Sequence, residues 1–69
     1  MDRVQVSSSN LESVGYDEDS QTLEIEFKNG NIYQYFDVPS QIFDGIVNAD
    51  SPGGYLADNI KGVYRYSRA

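Results

Sequence analysis

Residues 22–36 read TLEIEFKNGNIYQYF. Leu23, Ile25 and Phe27 alternate with Glu24, Glu26 and Lys28, the period-two pattern of a strand with one buried face. Asn29-Gly30 follows, the strongest short hairpin signal, because both central residues of a type I′ turn need positive φ. Folding about that two-residue turn predicts Phe27 opposite Ile32, Ile25 opposite Gln34 and Leu23 opposite Phe36. One face is then apolar apart from Gln34. The other sets Glu26 against Tyr33 and Glu24 against Tyr35. A slip of one residue would turn the apolar set outward, so the pattern is expected to hold this register.

Upstream, Ser13–Asp17 (SVGYD) reads as a preceding strand. With Glu18–Gln21 as a four-residue loop, Tyr16 falls opposite Leu23, Val14 opposite Ile25 and Gly15 opposite Glu24. The result is a three-stranded antiparallel meander with one apolar face that needs a cover. Val38-Pro39 ends the last strand, since Pro donates nothing to a ladder and biases its predecessor to extended geometry. From Ser40, the apolar residues Ile42, Phe43, Ile46, Val47 and Ala49 mark one face of a helix. Gly45 inside it costs about 1 kcal/mol against Ala. Ser51-Pro52 reads as an N-cap and first position of a second helix, with Tyr55, Leu56, Asn59 and Ile60 on one side and Gly62 closing it. Val63–Arg68 alternates again, as a fourth strand or an extended arm. The predicted class is α+β: a three- or four-stranded antiparallel meander covered on one face by two short helices. One domain, 1–69, is expected, with 1–10 a loosely ordered segment around Ser7-Ser8-Ser9-Asn10.

A chain of 69 residues buries only roughly 60% of the surface that its unfolded form exposes, so its core is small. It contains no Cys and no His. Disulfides, zinc fingers, His general bases and Ser-His or Cys-His nucleophiles are thereby excluded. No apolar run follows the opening MDRVQVSSSN, so neither a leader nor a membrane span is read, and a cytoplasmic protein is the expectation. The net charge of −6 is unevenly spread. Residues 1–60 carry eleven acids against Arg3 and Lys28, a balance of −9, while 61–69 carry Lys61, Arg65 and Arg68 with no acid, a balance of +3.

Two groups of residues are candidates for binding. Tyr33 and Tyr35, spaced i, i+2, form a stacking platform of the kind that unpaired bases use, but Glu24 and Glu26 opposite them would repel phosphate. Support for the tail or for a protein partner is therefore their expected role. In the tail, Lys61, Tyr64, Arg65, Tyr66 and Arg68 interleave cations with rings, the pattern of a nucleic-acid groove. If extended, the tail sets Tyr64 and Tyr66 on one side, with Lys61, Val63 and Arg65 on the other. Three charges release few counterions, so any RNA affinity is expected to be weak and salt-sensitive. Other patterns carry no chemistry. Asp17–Gln21 starts like a calcium loop, but Thr22 and Lys28 stand where such a loop needs Gly and Glu. Glu24 and Glu26 lack the unlike environments of a catalytic pair. Ser51–Tyr55 is a turn without the Lys-Ser/Thr of a phosphate-binding loop, though its free N–H groups are where an anion would bind the acidic body.

The order of the pieces resembles the KTSC domain, a short module also found at the C-terminus of some lysyl-tRNA synthetases. The matching residues are Ser7-Ser8-Asn10-Leu11 loosely, Val14-Gly15-Tyr16-Asp17, Leu23-x-Ile25-x-Phe27-x-x-Gly30 and Tyr33-x-Tyr35-x-x-Val38-Pro39. Ala49-x-Ser51-x-Gly53-x-Tyr55, Ile60 and Tyr64-x-Tyr66 complete the set. The resemblance implies an RNA-binding role and brings no catalytic residue or cofactor. Two functional expectations follow: a non-enzymatic RNA-binding module acting through the tail and the Tyr33/Tyr35 face, or a protein-interaction module whose acidic surface and exposed aromatics hold a basic partner. Pairing of two copies through a free strand edge is a third. No membrane and no small-molecule substrate are expected as partners.

Overall fold

A computed structural model describes all residues, Met1–Ala69. The strands β1 (Arg3–Gln5), β2 (Leu11–Asp17), β3 (Thr22–Phe27) and β4 (Ile32–Tyr35) precede the helices α1 (Ser40–Val47) and α2 (Pro52–Asn59), and β5 (Tyr66–Arg68) ends the chain. The five strands form one antiparallel sheet in sequence order, β1-β2-β3-β4-β5. The α+β meander holds, extended at both edges. Arg3–Gln5, inside the segment read as loose, pairs with Ser13–Gly15, and the tail forms a strand beside β4.

The β2–β3 register is the one read from sequence: Val14 opposite Ile25, Gly15 opposite Glu24 and Tyr16 opposite Leu23. The β3–β4 register is not. Leu23 pairs with Tyr35, Ile25 with Tyr33 and Glu26 with Ile32, one residue away from the expected pairing. The cause lies in the turn. Gly30 N–H donates to the Phe27 carbonyl at 2.9 Å, and Phe27 N–H donates to the Asn31 carbonyl at 2.8 Å. The loop is therefore Lys28-Asn29-Gly30, three residues long. Only Gly30 is left-handed (φ 93°), and Asn29 is not, which is the type I turn with a glycine bulge rather than type I′.

One extra loop residue moves every β4 side chain to the opposite face. Tyr33 and Tyr35 turn to the helix side with Leu23 and Ile25. Ile32, Gln34 and Phe36, expected inside, lie on the open face instead, and Ile32 and Phe36 are half-buried there. The core comprises Leu11, Val14, Leu23, Ile25, Tyr35, Val38, Ile46, Leu56 and Ile60. Burial of each large side chain contributes about 1.5–3 kcal/mol.

Both helices form where the sequence predicts them. Ser51 caps α2, its Oγ accepting from Gly54 N–H at 3.2 Å, with Pro52 in the first turn. Gly62, left-handed at φ 77°, carries the chain out of the helix. Asn59 faces solvent rather than the sheet, and its amide donates to the Tyr55 carbonyl. Helix α1 packs on β2 and on α2, with Phe43 stacked on Tyr16 at 5.4 Å. The Tyr16 hydroxyl donates to the Val38 carbonyl at 2.5 Å, tying β2 to the entrance of α1. No helix is long and apolar enough to cross a membrane.

Candidate functional site: an aromatic cleft beyond the helices

Where the helix cover ends, the inward face of β3, β4 and β5 opens into a cleft of about 480 Å³. Its floor is aromatic: Phe27, Tyr33, Tyr35 and Tyr66. Its polar walls are the hairpin residues Asn29 and Asn31 on one side and the α2 exit, Lys61-Gly62, on the other. Strand pairing builds this floor. Tyr33 and Tyr35 sit opposite Ile25 and Leu23, and β5 sets Tyr66 opposite Tyr35 and Arg68 opposite Tyr33. The rings lock one another in place. Phe27 meets Tyr33 edge-on at 5.5 Å, and Tyr66 lies 5.7 Å from both Tyr33 and Tyr35. Such pairs add about 0.5–1.5 kcal/mol beyond area burial. Tyr35 is buried, and desolvation pushes its phenol pKa up, with lesser contributions from Tyr33 and Tyr66. Tyr66 is 62% exposed, so the floor offers a ring to solvent at one end and an anchored ring at the other.

The walls are organised by hydrogen bonds. Asn31 Oδ1 accepts from Arg68 Nη2 at 2.7 Å. Asn29 Oδ1 accepts from the Asn31 N–H at 3.0 Å. A second depression of about 330 Å³ adjoins the cleft along Phe27 and Asn29 and adds Lys28, Ser9 and Asn10.

The seven residues singled out by sequence separate into two groups. Lys61, Tyr33, Tyr35 and Tyr66 line the cleft, and Arg68 braces its wall through Asn31. Tyr64 packs half-buried against the core. Arg65 is elsewhere: it pairs with Asp37 at 2.9 Å and lies 5.5 Å over the Phe36 ring. Both partners of that ion pair are 75% exposed, so it contributes little. Asn29 escaped the sequence reading as a site residue because it read as a turn former, and Asn31 because it belongs to no motif. Phe27 was assigned to the core, but it lies on the same face at the hairpin end, past the cover.

The expected opposition of Glu24 and Glu26 to Tyr33 and Tyr35 is corrected by the register. The carboxylates lie on the open face, away from the rings, and are engaged there. Arg3 reaches across Gly15 to Glu24, Nε to Oε2 at 2.7 Å, and to Glu26 Oε1 at 3.2 Å. A Cβ at Gly15 would stand 3.1 Å from the Arg3 side chain, so the bare backbone leaves its passage open. Glu24 also accepts from Gln34 Nε2 at 3.0 Å, and Glu26 from Ser13 Oγ at 2.8 Å. The bond from Gln34, then that from Arg3, holds the Glu24 carboxyl below its ordinary pKa, and the same pairing raises that of Arg3.

The pattern that defines the KTSC domain matches residues 7–64. An uncharacterized protein of Stutzerimonas stutzeri is 42% identical over 69 residues, covering 99% of this chain and 97% of its own. A lysine–tRNA ligase of Nostoc sp. is 38% identical over 58 residues, which is 84% of this chain but 10% of the ligase. In three dimensions, the crystal structure of a KTSC domain protein from Yersinia pestis superposes with a TM-score of 0.92 at 38% identity, covering 99% of this chain and 96% of that one.

Proposed function

The chain belongs to the KTSC domain family, and on that premise we propose that it is a non-enzymatic binding module whose aromatic cleft takes an unpaired segment of RNA. One observation carries the reading: Tyr33, Tyr35, Tyr66 and Phe27 share a concave face that holds Lys61 and excludes Glu24 and Glu26. Stacking on such rings is worth about 1–3 kcal/mol per base, and the cleft volume of about 480 Å³ lies within the range of small-ligand sites. The lysine–tRNA ligase relative lends support, as a protein named for acting on tRNA. Without His or Cys, the chain has no ordinary nucleophile-base pair to offer a substrate, which favours binding over turnover.

Titration with a short single-stranded RNA at low salt tests the reading. There is no Trp, so intrinsic emission comes from tyrosine and stacking should quench it. With Lys61 and one further cation engaged, log K should fall against log salt with a slope of about −1.4, and Lys61→Ala should flatten it by about 0.7. Tyr66→Ala should weaken binding by about 1–3 kcal/mol. If neither quenching nor movement of the Phe27, Tyr33 and Tyr66 ring resonances occurs at low salt, the cleft is not an RNA site.

A further inference from the structure

We infer that the cleft and the depression beside it form one channel, in which an RNA strand seated in the cleft continues over Phe27 and Asn29 and meets a second cation, Lys28. This rests on the RNA reading of the cleft and adds to it a second contact and a minimum ligand length.

The lining is selective in charge. The chain carries eleven acids, yet neither the cleft of about 480 Å³ nor the depression of about 330 Å³ is lined by one. The cations divide in the same sense. Arg3 is taken up by Glu24 and Glu26, Arg65 by Asp37, and Arg68 by Asn31. Lys28 and Lys61 take part in none of the ion pairs, and these two are the cations that line the depressions. On a molecule of net charge −6, a surface without carboxylates that keeps two unneutralised ammonium groups is where a polyanion is least repelled.

The layout then sets how much ligand is needed. Lys61 lines the cleft alone and Lys28 the depression alone, while Phe27 and Asn29 line both. A ligand that reaches both lysines therefore crosses the seam that those two residues make. Phe27 gives the seam an aromatic ring, and its edge-on contact with Tyr33 makes that ring a continuation of the cleft floor. Past the seam, Ser9 and Asn10 border the depression. The Asn10 carbonyl accepts from Lys28 N–H at 2.9 Å, so the segment before β2 and the hairpin turn are tied together there. A mononucleotide has one phosphate and can answer one lysine. An oligonucleotide has a phosphate for each.

Hexauridylate and uridine monophosphate separate the two halves of the channel. With both lysines engaged, log K for hexauridylate should fall against log salt with a slope of about −1.4, and with a slope of about −0.7 in Lys28→Gln. Between about 50 and 200 mM salt, the affinity gap between the two proteins should then narrow by about two- to threefold. Uridine monophosphate should bind both proteins alike. Hexauridylate, and not the mononucleotide, should shift the backbone amides of Ser9 and Asn10. Lys28 is exposed and bonds Asn10 through its backbone, so the Gln variant keeps the fold. If hexauridylate binds both proteins with one slope and leaves Ser9 and Asn10 unmoved, the channel is overturned and the RNA reading of the cleft stands. If neither hexauridylate nor the mononucleotide binds at low salt, both readings fall together.

Discussion

Tyr55 packs across Gly45. A methyl group added at Gly45 would overlap the Tyr55 hydroxyl and the ring carbon that bears it. The glycine inside α1 is thus explained by the contact between α1 and α2, not by local preference. Ala is favoured over Gly in a helix by about 1 kcal/mol, yet Gly45→Ala should destabilise by about 1–3 kcal/mol through overpacking. Tyr55→Phe removes the nearest atom and should recover part of that loss. Urea denaturation of the two single variants and the double variant measures the coupling, and additive effects would show that the two residues do not touch.

The register makes a second prediction. Tyr35 is 3% exposed within the core, while its neighbour Phe36 lies half-buried on the open face under Arg65. Tyr35→Ala should cost about 3–5 kcal/mol. Phe36→Ala should cost much less, about 1 kcal/mol, the loss of a partly covered ring. Denaturation midpoints in the reverse order would restore the pairing expected from a two-residue turn.

A third concerns acid. The Glu24 side chain is 13% exposed and is held ionised by Gln34 and Arg3. A carboxyl whose pKa is lower when folded stabilises above its unfolded value of about 4.3, and that stability disappears as pH falls through the folded value. Glu24→Gln should therefore be less stable than wild type at pH 7, with the gap closing below about pH 4. A gap independent of pH would mean that the charge is not responsible.

A fourth concerns Tyr16, whose hydroxyl holds the Val38 carbonyl and whose pKa is raised chiefly by burial. Tyr16→Phe should cost about 1 kcal/mol, the loss of one hydrogen bond with the Phe43 stack retained. Absorbance titration of the phenols in the wild type should contain a late-ionising component that this variant loses in part.

What could be read from the chain, and what could not, divides at the hairpin. Between β2 and β3 the two parities differ sharply, Val14 and Tyr16 against Ser13 and Gly15, and only one register buries the apolar set. In β4 the parities are nearly balanced: Ile32 and Phe36 on one, Tyr33 and Tyr35 on the other. Hydrophobicity could not choose between them, and turn length decided. Ser51-Pro52 located α2 because a cap and a proline act locally. The strand β1 was invisible for the opposite reason: RVQ is short and exposed, and pairs with β2 under an Arg3 anchored to Glu24, twenty-one positions away. The cleft combines these limits, since its floor depends on the β4 register and its polar wall on Asn29 in the turn and Asn31 just after it.

Gly30 gives that turn an odd number of residues. Inserting or deleting a single residue there would exchange the two sides of everything downstream in β4, delivering Gln34 to the interior and the tyrosine pair to the carboxylates. The loop therefore acts as a parity bit for the molecule. Its length, more than its composition, is the quantity on which the aromatic cleft depends.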